Sequence, residues 1–210
     1  MQKLYNSIMS NCQEIKLKAN QVYTSCYCEE NVWQLCKKIK ESRKLSSTQE
    51  KEDVFVVFIS NENKTVPLWK QSAAEDPEHP VVWDYHVILI NKTKEGSMVF
   101  DLDTNLLYPC EFSHYSNETF KTDELLMEQF HRKFRVINID DFLMHFASDR
   151  SHMKAENGDW IKPPPLYPCI QTSQSSNNIT NFVSVDPNVG WGDVHTLKSF
   201  NERFLENHSR

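Results

Sequence analysis

Apolar residues follow two different periods along the chain, and the period changes between neighbouring segments. Residues 28–40 carry an apolar stripe at the spacing of one face of an amphipathic helix, namely Val32, Leu35, Cys36 and Ile39. Residues 54–59 instead form a continuous run of β-branched and aromatic side chains, which is typical of a strand buried on both faces. These two segments predict a helix followed by a central strand.

Two further apolar segments, 81–90 and 98–103, predict a β-hairpin, because turn-forming residues separate them at 91–96. The segment 65–69 predicts an edge or return strand, limited by Pro67. The remaining patterns predict a helix at 119–132, a strand at 134–139, a short helix capped by Asp140 or Asp141, and a closing helix at 197–205. The fold class predicted from these elements is α/β of the α+β kind.

The register of the predicted hairpin decides which polar side chains meet. If Ile90 pairs with Ser97, His86 lies directly opposite Asp101 on one face of the sheet, with Cβ atoms about 4.5–5.5 Å apart. A shift of one residue would break that pair, and the loop length does not fix the register. Asp103 shares the same face and is the alternative partner of the histidine.

Cys28 occupies the first residue of the predicted helix, where unpaired backbone N–H groups and the positive end of the helix dipole favour a thiolate. Glu29 and Glu30 oppose that effect, so a basic partner is needed. His86 is the candidate base, and Asp101 the group that orients it. A cysteine on a helix packed against an antiparallel sheet that carries histidine and aspartate is typical of papain-like and transglutaminase-like cores.

Other interpretations of the same residues stay open. Cys26 is the rival nucleophile, although it precedes the helix and the dipole helps it less. A buried cysteine and a strand histidine are also common as structural residues, and Cys36 is expected in the core. A metal site could combine Cys26, Cys28 and Cys36, with or without His86 or His114, but a single Cys-x-Cys pair is not the usual zinc spacing.

Composition narrows the functional classes. The chain has 210 residues, a net charge of −6 and 39% hydrophobic residues, which predicts one catalytic domain over residues 1–210, with residues 1–20 as a loose arm or short helix. The chain lacks a clustered basic surface for nucleic acid and an apolar run of about 18 residues for a membrane span. Its N-terminus lacks a signal-peptide core, so an intracellular protein with six reduced cysteines is expected.

Eight segments resemble, in the same order, the motifs of the protein N-terminal glutamine amidohydrolase family. They are CYCEENVW at 26–33, VFISN at 57–61, PLWKQ at 67–71, WDYH at 83–86, DLDT at 101–104, FASDRSHMK at 146–154, YPC at 167–169 and DPNVGWG at 186–192. The resemblance implies that Cys28 is the catalytic cysteine, His86 the histidine and Asp101 the aspartate. It also implies a papain- or transglutaminase-like core.

The activity implied by the resemblance is the conversion of an N-terminal glutamine of a protein or peptide into glutamate, with release of ammonia. The product would enter the N-degron pathway through arginylation and ubiquitin-dependent degradation. The family resemblance further implies a monomer without cofactor or metal, in cytosol and nucleus. Recognition of the free α-ammonium calls for an acidic side chain. The candidates are Asp84, which the predicted strand places on the face of His86, and Glu29 and Glu30, which are closer in sequence to the thiol but also fit as ordinary acids of a first helical turn.

Two rival functions fit the same sequence. A cysteine protease or transamidase would use the same three residues on another acyl group, and release of ammonia without chain cleavage would separate it from an amidohydrolase. A non-catalytic module that binds peptide N-termini would tolerate replacement of Cys28 by serine.

Overall fold

The computed structural model describes residues 18–45 and 53–205, and its centre is a six-stranded sheet. The strands in chain order are β1 Asp53–Ser60, β2 Val66–Leu68, β3 Val81–Trp83, β4 His86–Lys92, β5 Ser97–Phe100, β6 Cys110–Glu111, β7 Lys133–Asn138 and β8 Asp193–Thr196. The sheet order is β6-β5-β4-β1-β7-β8, and each neighbouring pair is antiparallel. Strands β2 and β3 form a separate antiparallel pair.

Helices cover both faces of this sheet. They are α1 Cys28–Leu45, α2 Phe112–Tyr115, α3 Ile139–His145, α4 Ile179–Val183 and α5 Leu197–Phe204, with a π-helical turn at Ser116–Phe120 and 3₁₀ turns at Glu128–Phe130 and Ser151–Met153. None of the helices in the described ranges combines the length and apolarity that crossing a membrane requires.

Strand β1 divides the core into two layers because its successive side chains point to opposite faces. Val56 and Phe58 pack into the cluster formed with α1, α3 and α4. Val57 and Ile59 pack into the cluster formed with α2 and α5 on the other face. The α+β class predicted from the sequence is therefore confirmed, with a sheet that is antiparallel throughout the described residues.

Helix α1 begins at Cys28, as predicted, but ends at Leu45 rather than near residue 40. The predicted strand 81–90 is wrong as a single element, because it breaks at Asp84 and Tyr85. Its first part pairs with β2, whereas its second part pairs with β1 and β5. Asp84 therefore does not share a strand face with His86.

The predicted hairpin exists, but its predicted register is wrong by two residues. Ile90 pairs with Val99, and Ser97 pairs with Lys92. The strand runs two residues further into the expected turn, because a tight turn closes through the Thr93 N–H···O=C Gly96 hydrogen bond of 2.9 Å.

The predicted helix at 119–132 is wrong. The π-helical turn ends at Phe120, and Lys121 adopts a positive φ of 56°, which stops the helix. Helix α3 is capped by Asn138, whose side chain accepts a hydrogen bond from the Asp140 N–H, so neither aspartate is the cap. The closing helix is confirmed as α5.

Most of the predicted N-terminal arm lies outside the described residues. Its last residues contact the rest of the molecule, since Lys18 Nζ donates a 2.7 Å hydrogen bond to the Thr104 carbonyl. Lys38 Nζ likewise donates a 3.1 Å hydrogen bond to the carbonyl of Asn20. Residues 18–20 are therefore tied to the turn that follows β5 and to helix α1.

Candidate active site

His86 and Asp101 form a buried hydrogen-bonded pair at one end of the sheet. His86 is the first residue of β4, and Asp101 directly follows β5. The His86 Nε2 atom lies 2.9 Å from Asp101 Oδ1, and neither side chain is exposed to solvent. A buried carboxylate bonded to one ring nitrogen fixes the tautomer of the imidazole and leaves the other nitrogen for chemistry.

Three further groups hold the Asp101 carboxylate. Oδ2 accepts hydrogen bonds from Gln71 Nε2 at 3.0 Å and Tyr115 Oη at 2.7 Å, while Oδ1 accepts one from the Asp103 N–H at 2.9 Å. Burial alone would raise the pKa of Asp101, but the imidazolium of His86 and these side-chain donors lower it to about 2. Asp101 therefore stays ionised over the whole physiological pH range.

The pKa of His86 is shifted in the opposite direction. Burial would lower the pKa of the imidazole, but Asp101 first, and then Asp103 and Glu29, raise it above its usual value. The Trp83 indole stacks on the ring, with centroids 5.3 Å apart. Nδ1 is buried and has no hydrogen-bond partner among the described residues, so it is the nitrogen available to a thiol or substrate.

Cys28 begins helix α1, and its thiol lies near the start of β4. The backbone amide of Val87, the residue after His86, favours its thiolate. Burial, followed by the charges of Glu29 and Asp103, outweighs that contact and raises the pKa of the Cys28 thiol well above its usual value. The helix start alone does not produce a thiolate here, so ionisation requires transfer of the proton to a base.

The other cysteines lie in different surroundings. Cys26 precedes the helix, has a positive φ of 67°, and its Sγ lies 3.6 Å from Ser25 Oγ. Cys36 is fully buried on the apolar face of α1, which confirms its predicted core position. The three cysteines of the metal interpretation do not form a ligand cluster in the part of the chain that the structure describes.

Asp103 completes an acidic neighbourhood around the histidine. Ligand atoms of His86, Asp101 and Asp103 lie within 4.8 Å of one another. Burial, partly offset by His86, raises the pKa of Asp103. Tyr23 Oη donates a 2.6 Å hydrogen bond to its Oδ1 atom, which places the segment before α1 against this acid.

Two of the acids that are candidates for substrate binding, Glu30 and Asp84, occupy very different positions. Glu30 is fully buried, and Arg150 Nε and Nη2 donate 2.8 Å hydrogen bonds to its two oxygens. Asp84 is exposed in the bend between β3 and β4, where its Oδ1 accepts a 2.9 Å hydrogen bond from the Tyr85 N–H. Both carboxylate oxygens of Glu30 are therefore occupied, whereas Asp84 faces a cavity that it helps to line.

Several residues of this site carried no predicted role. Gln71, Arg150 and His152 lie inside the motifs quoted for the family resemblance, so the motif was the available signal, but the motif alone does not say which atoms they contact. Tyr115 had no signal, because a tyrosine that follows the pattern of a buried aromatic residue cannot be told from one until its hydroxyl is placed.

Comparison with known proteins shows which family the chain resembles. The family model described as N-terminal glutamine amidase matches residues 23–204. The human protein N-terminal glutamine amidohydrolase is 50% identical over 184 residues, which cover 87% of each chain. The Danio rerio relative of the same name is 49% identical over 200 residues, covering 94% of this chain and 96% of its own. The Drosophila melanogaster relative is 44% identical over 185 residues, covering 88% of each. The chain therefore belongs to the N-terminal glutamine amidase family.

Proposed function

We propose that this protein hydrolyses the side-chain amide of an N-terminal glutamine in proteins and peptides, giving N-terminal glutamate and ammonia. The observation that carries the proposal is the buried His86–Asp101 pair at the strand end where the Cys28 thiol lies. The relatives that share about half of the sequence are named for this activity.

The proposed reaction begins with proton transfer from the Cys28 thiol to Nδ1 of His86. This transfer is needed because burial and Glu29 raise the pKa of the thiol, while Asp101 raises the pKa of the imidazole. The thiolate attacks the side-chain carboxamide carbon of the substrate glutamine and forms a tetrahedral oxyanion. The backbone N–H of Cys28, at the open start of helix α1, is the proposed donor to that oxyanion.

Collapse of the intermediate breaks the carbon–nitrogen bond. The His86 imidazolium protonates the leaving nitrogen, ammonia departs, and a thioester remains on Cys28. Neutral His86 then takes a proton from water, which attacks the thioester carbon. The carbon–sulfur bond breaks, glutamate leaves, and the proton returns to sulfur. Asp101 keeps the same nitrogen of the imidazole engaged through both half-reactions.

The same proposal extends to the fold, the oligomeric state, the partners and the cellular location of the protein. The protein acts as a single papain- or transglutaminase-like catalytic domain, as a monomer, and without cofactor, metal, nucleic-acid or membrane partner. It works in cytosol and nucleus, where its product is arginylated and directed to ubiquitin-dependent degradation in the N-degron pathway.

Ammonia release from four matched peptides tests the activity. The peptides begin with Gln, with acetyl-Gln or with Asn, or carry Gln only at an internal position. Only the first should be deamidated efficiently, because the amine is part of the recognised group and Asn is one methylene shorter. A displacement of about 1 Å can cost roughly 10²-fold in rate.

Mass spectrometry of the same samples separates the rival functions. Deamidation adds about one mass unit without chain cleavage, whereas a protease gives fragments. Comparable rates on the internal-Gln peptide would indicate a general glutamine deamidase or transamidase. The Cys28→Ser variant tests the remaining alternative, a non-catalytic module that binds peptide N-termini. If it binds the Gln-first peptide as tightly as the wild type does, and neither protein releases ammonia, the chain is a binding module.

A further inference from the structure

A cavity of about 450 Å³ lies next to the bend between β3 and β4 that carries Asp84 and Tyr85. Its apolar side is formed by Ile179 and Val183 of helix α4, and its polar side includes Asp84, Tyr85 and His152. Two of these polar residues, Tyr85 and His152, contact the carboxylate of Glu29, the residue that follows Cys28. Glu29 therefore lies between the thiol and the part of the cavity wall formed by Tyr85 and His152.

Glu29 is fully buried, and its two oxygens are unequally satisfied. Oε2 accepts a 3.1 Å hydrogen bond from Tyr85 Oη and lies 3.6 Å from Cys28 Sγ. Oε1 makes a long 3.5 Å ion-pair contact with His152 Nε2 and no hydrogen bond among the described residues. A buried carboxylate oxygen without a hydrogen bond is costly and is a natural site for an incoming donor.

We propose that Glu29 is the receptor for the α-ammonium group of the substrate, that His152 acts as its stand-in cation in the free enzyme, and that the cavity holds the second residue of the peptide. This inference rests on the proposed function and names the group that gives it its specificity.

The dimensions of glutamine fit this arrangement. Four bonds join the α-nitrogen to the side-chain carbonyl carbon, which are about 5 Å apart when the chain is extended. A carbonyl carbon poised for attack lies about 3–3.5 Å from the sulfur. Because the Glu29 carboxylate begins 3.6 Å from Cys28 Sγ, an ammonium bound at Oε1 and a carboxamide at the thiol can belong to the same residue.

Asp84 is the rival receptor and is weaker for this role. It is exposed, and an ion pair in water contributes little discrimination. A buried acid discriminates strongly, because a substrate without the amine leaves the charge unpaired. The protonated ring of His152 offsets part of that charge in the free enzyme, and since its side chain retains 23% exposure, it can turn outward as the ammonium enters.

The test compares two substrates on the same variants. One is a Gln-first peptide, and the other carries a 5-amino-5-oxopentanoyl group in place of Gln, which keeps the side-chain amide and lacks the α-amine. The measured quantity is the ratio of kcat/KM for the two peptides. In the wild type we expect a ratio of at least about 30, the lower end of the cost of an unpaired buried charge.

Glu29→Gln should reduce this ratio to near one, even though loss of the neighbouring charge also alters the thiol, because that effect is common to both substrates. His152→Ala should retain a large ratio, since the carboxylate remains. Glu62→Gln, an exposed acid of the same cavity, is the matched control and should leave the ratio unchanged. Circular dichroism and thermal unfolding establish that each variant is folded.

The outcomes distinguish failure of the proposed function from failure of the assignment of Glu29 as the receptor. A wild type that releases no ammonia from the Gln-first peptide contradicts the proposed function itself. An active wild type whose ratio survives Glu29→Gln overturns the inference, and a ratio abolished only by Asp84→Asn assigns the receptor to Asp84. If Glu29→Gln does not fold, Glu29→Asp serves instead: a receptor role lowers the ratio by withdrawing the charge, whereas an unchanged ratio contradicts it.

Discussion

His86 and Asp101 are hydrogen bonded at 2.9 Å although the β4–β5 ladder does not pair them. The ladder ends at Leu89 and Phe100, and its register, if extended, would place His86 opposite Asp103. After β5 the chain turns, and the Asp103 N–H donates a 2.9 Å hydrogen bond back to Asp101 Oδ1. The turn, rather than strand pairing, brings the Asp101 carboxylate to the imidazole.

Replacement of the two neighbouring cysteines should have unequal effects. Cys28→Ala should abolish ammonia release, because the proposed thioester forms only on this sulfur. Cys26→Ala should leave a folded and at least partly active enzyme, since Cys26 precedes the helix. The measurement is kcat/KM on a Gln-first peptide, together with thermal unfolding. Equal loss in two folded variants would mean that Cys28 is not the distinguished thiol.

The two acids near His86 should also differ. Asp101→Asn should lower kcat by as much as roughly 10⁴-fold, the cost of losing a tautomer-fixing carboxylate in a comparable triad. Asp103→Asn should cost less, because Asp103 acts on His86 through its charge, whereas Asp101 holds the ring by a hydrogen bond. A larger loss of kcat in Asp103→Asn would assign the orienting role to Asp103.

The His86–Asp101 pair should leave a defined signature in acid. The folded pKa of Asp101 is about 2, below its ordinary value of 3.8, so its contribution to folding is present above pH 3.8 and is lost as the pH falls toward 2. The contribution amounts to about 2 kcal/mol. His86 has a raised pKa, so its contribution is present at low pH and is lost as the pH rises through the folded value.

Urea unfolding of wild type and Asp101→Asn between pH 5 and pH 2 measures the acidic part of this effect. The difference in the free energy of unfolding between the two proteins should shrink as the pH falls. A difference that stays constant over this range would contradict the lowered pKa of Asp101.

Glu30 should matter for stability rather than for specificity. Its carboxylate is buried and is held by two hydrogen bonds from Arg150, so Glu30→Gln leaves a buried guanidinium without a charged partner. We expect a loss of about 3 kcal/mol in the free energy of unfolding. The exposed Glu156→Gln is the matched control and should change little. A folded Glu30→Gln variant with normal stability and a greatly raised KM would instead place Glu30 in substrate binding.

Local chemistry explains what could be predicted from the sequence. The apolar stripe of α1, the acids of its first turn and the position of Cys28 at its start are all short-range features, so the start of the helix follows from the sequence. The apolar run of β1 likewise predicts a strand buried on both faces. The quoted motifs indicated the family, which the matching family model confirms.

The predictions that were wrong depended on interactions that the local sequence pattern does not contain. The register of β4 and β5 depended on where the turn at Thr93 closed, and a continuous apolar stretch could not reveal that β3 joins a different sheet. The predicted helix at 119–132 is wrong because Lys121 adopts a positive φ, which the spacing of apolar residues does not reveal.

The sequence by itself determined the types of most elements, the residues that form the core and the chemistry available at Cys28, His86 and Asp101, because these depend on side-chain identity and short-range spacing. Only the tertiary structure decided which acids are free to act. Glu30 is paired with Arg150, which lies 120 residues further along the chain, whereas Glu29 faces Tyr85 and His152 beside the cavity. Two adjacent glutamates in one helical turn thus differ entirely in their partners, because successive helical residues point in different directions and meet different parts of the fold.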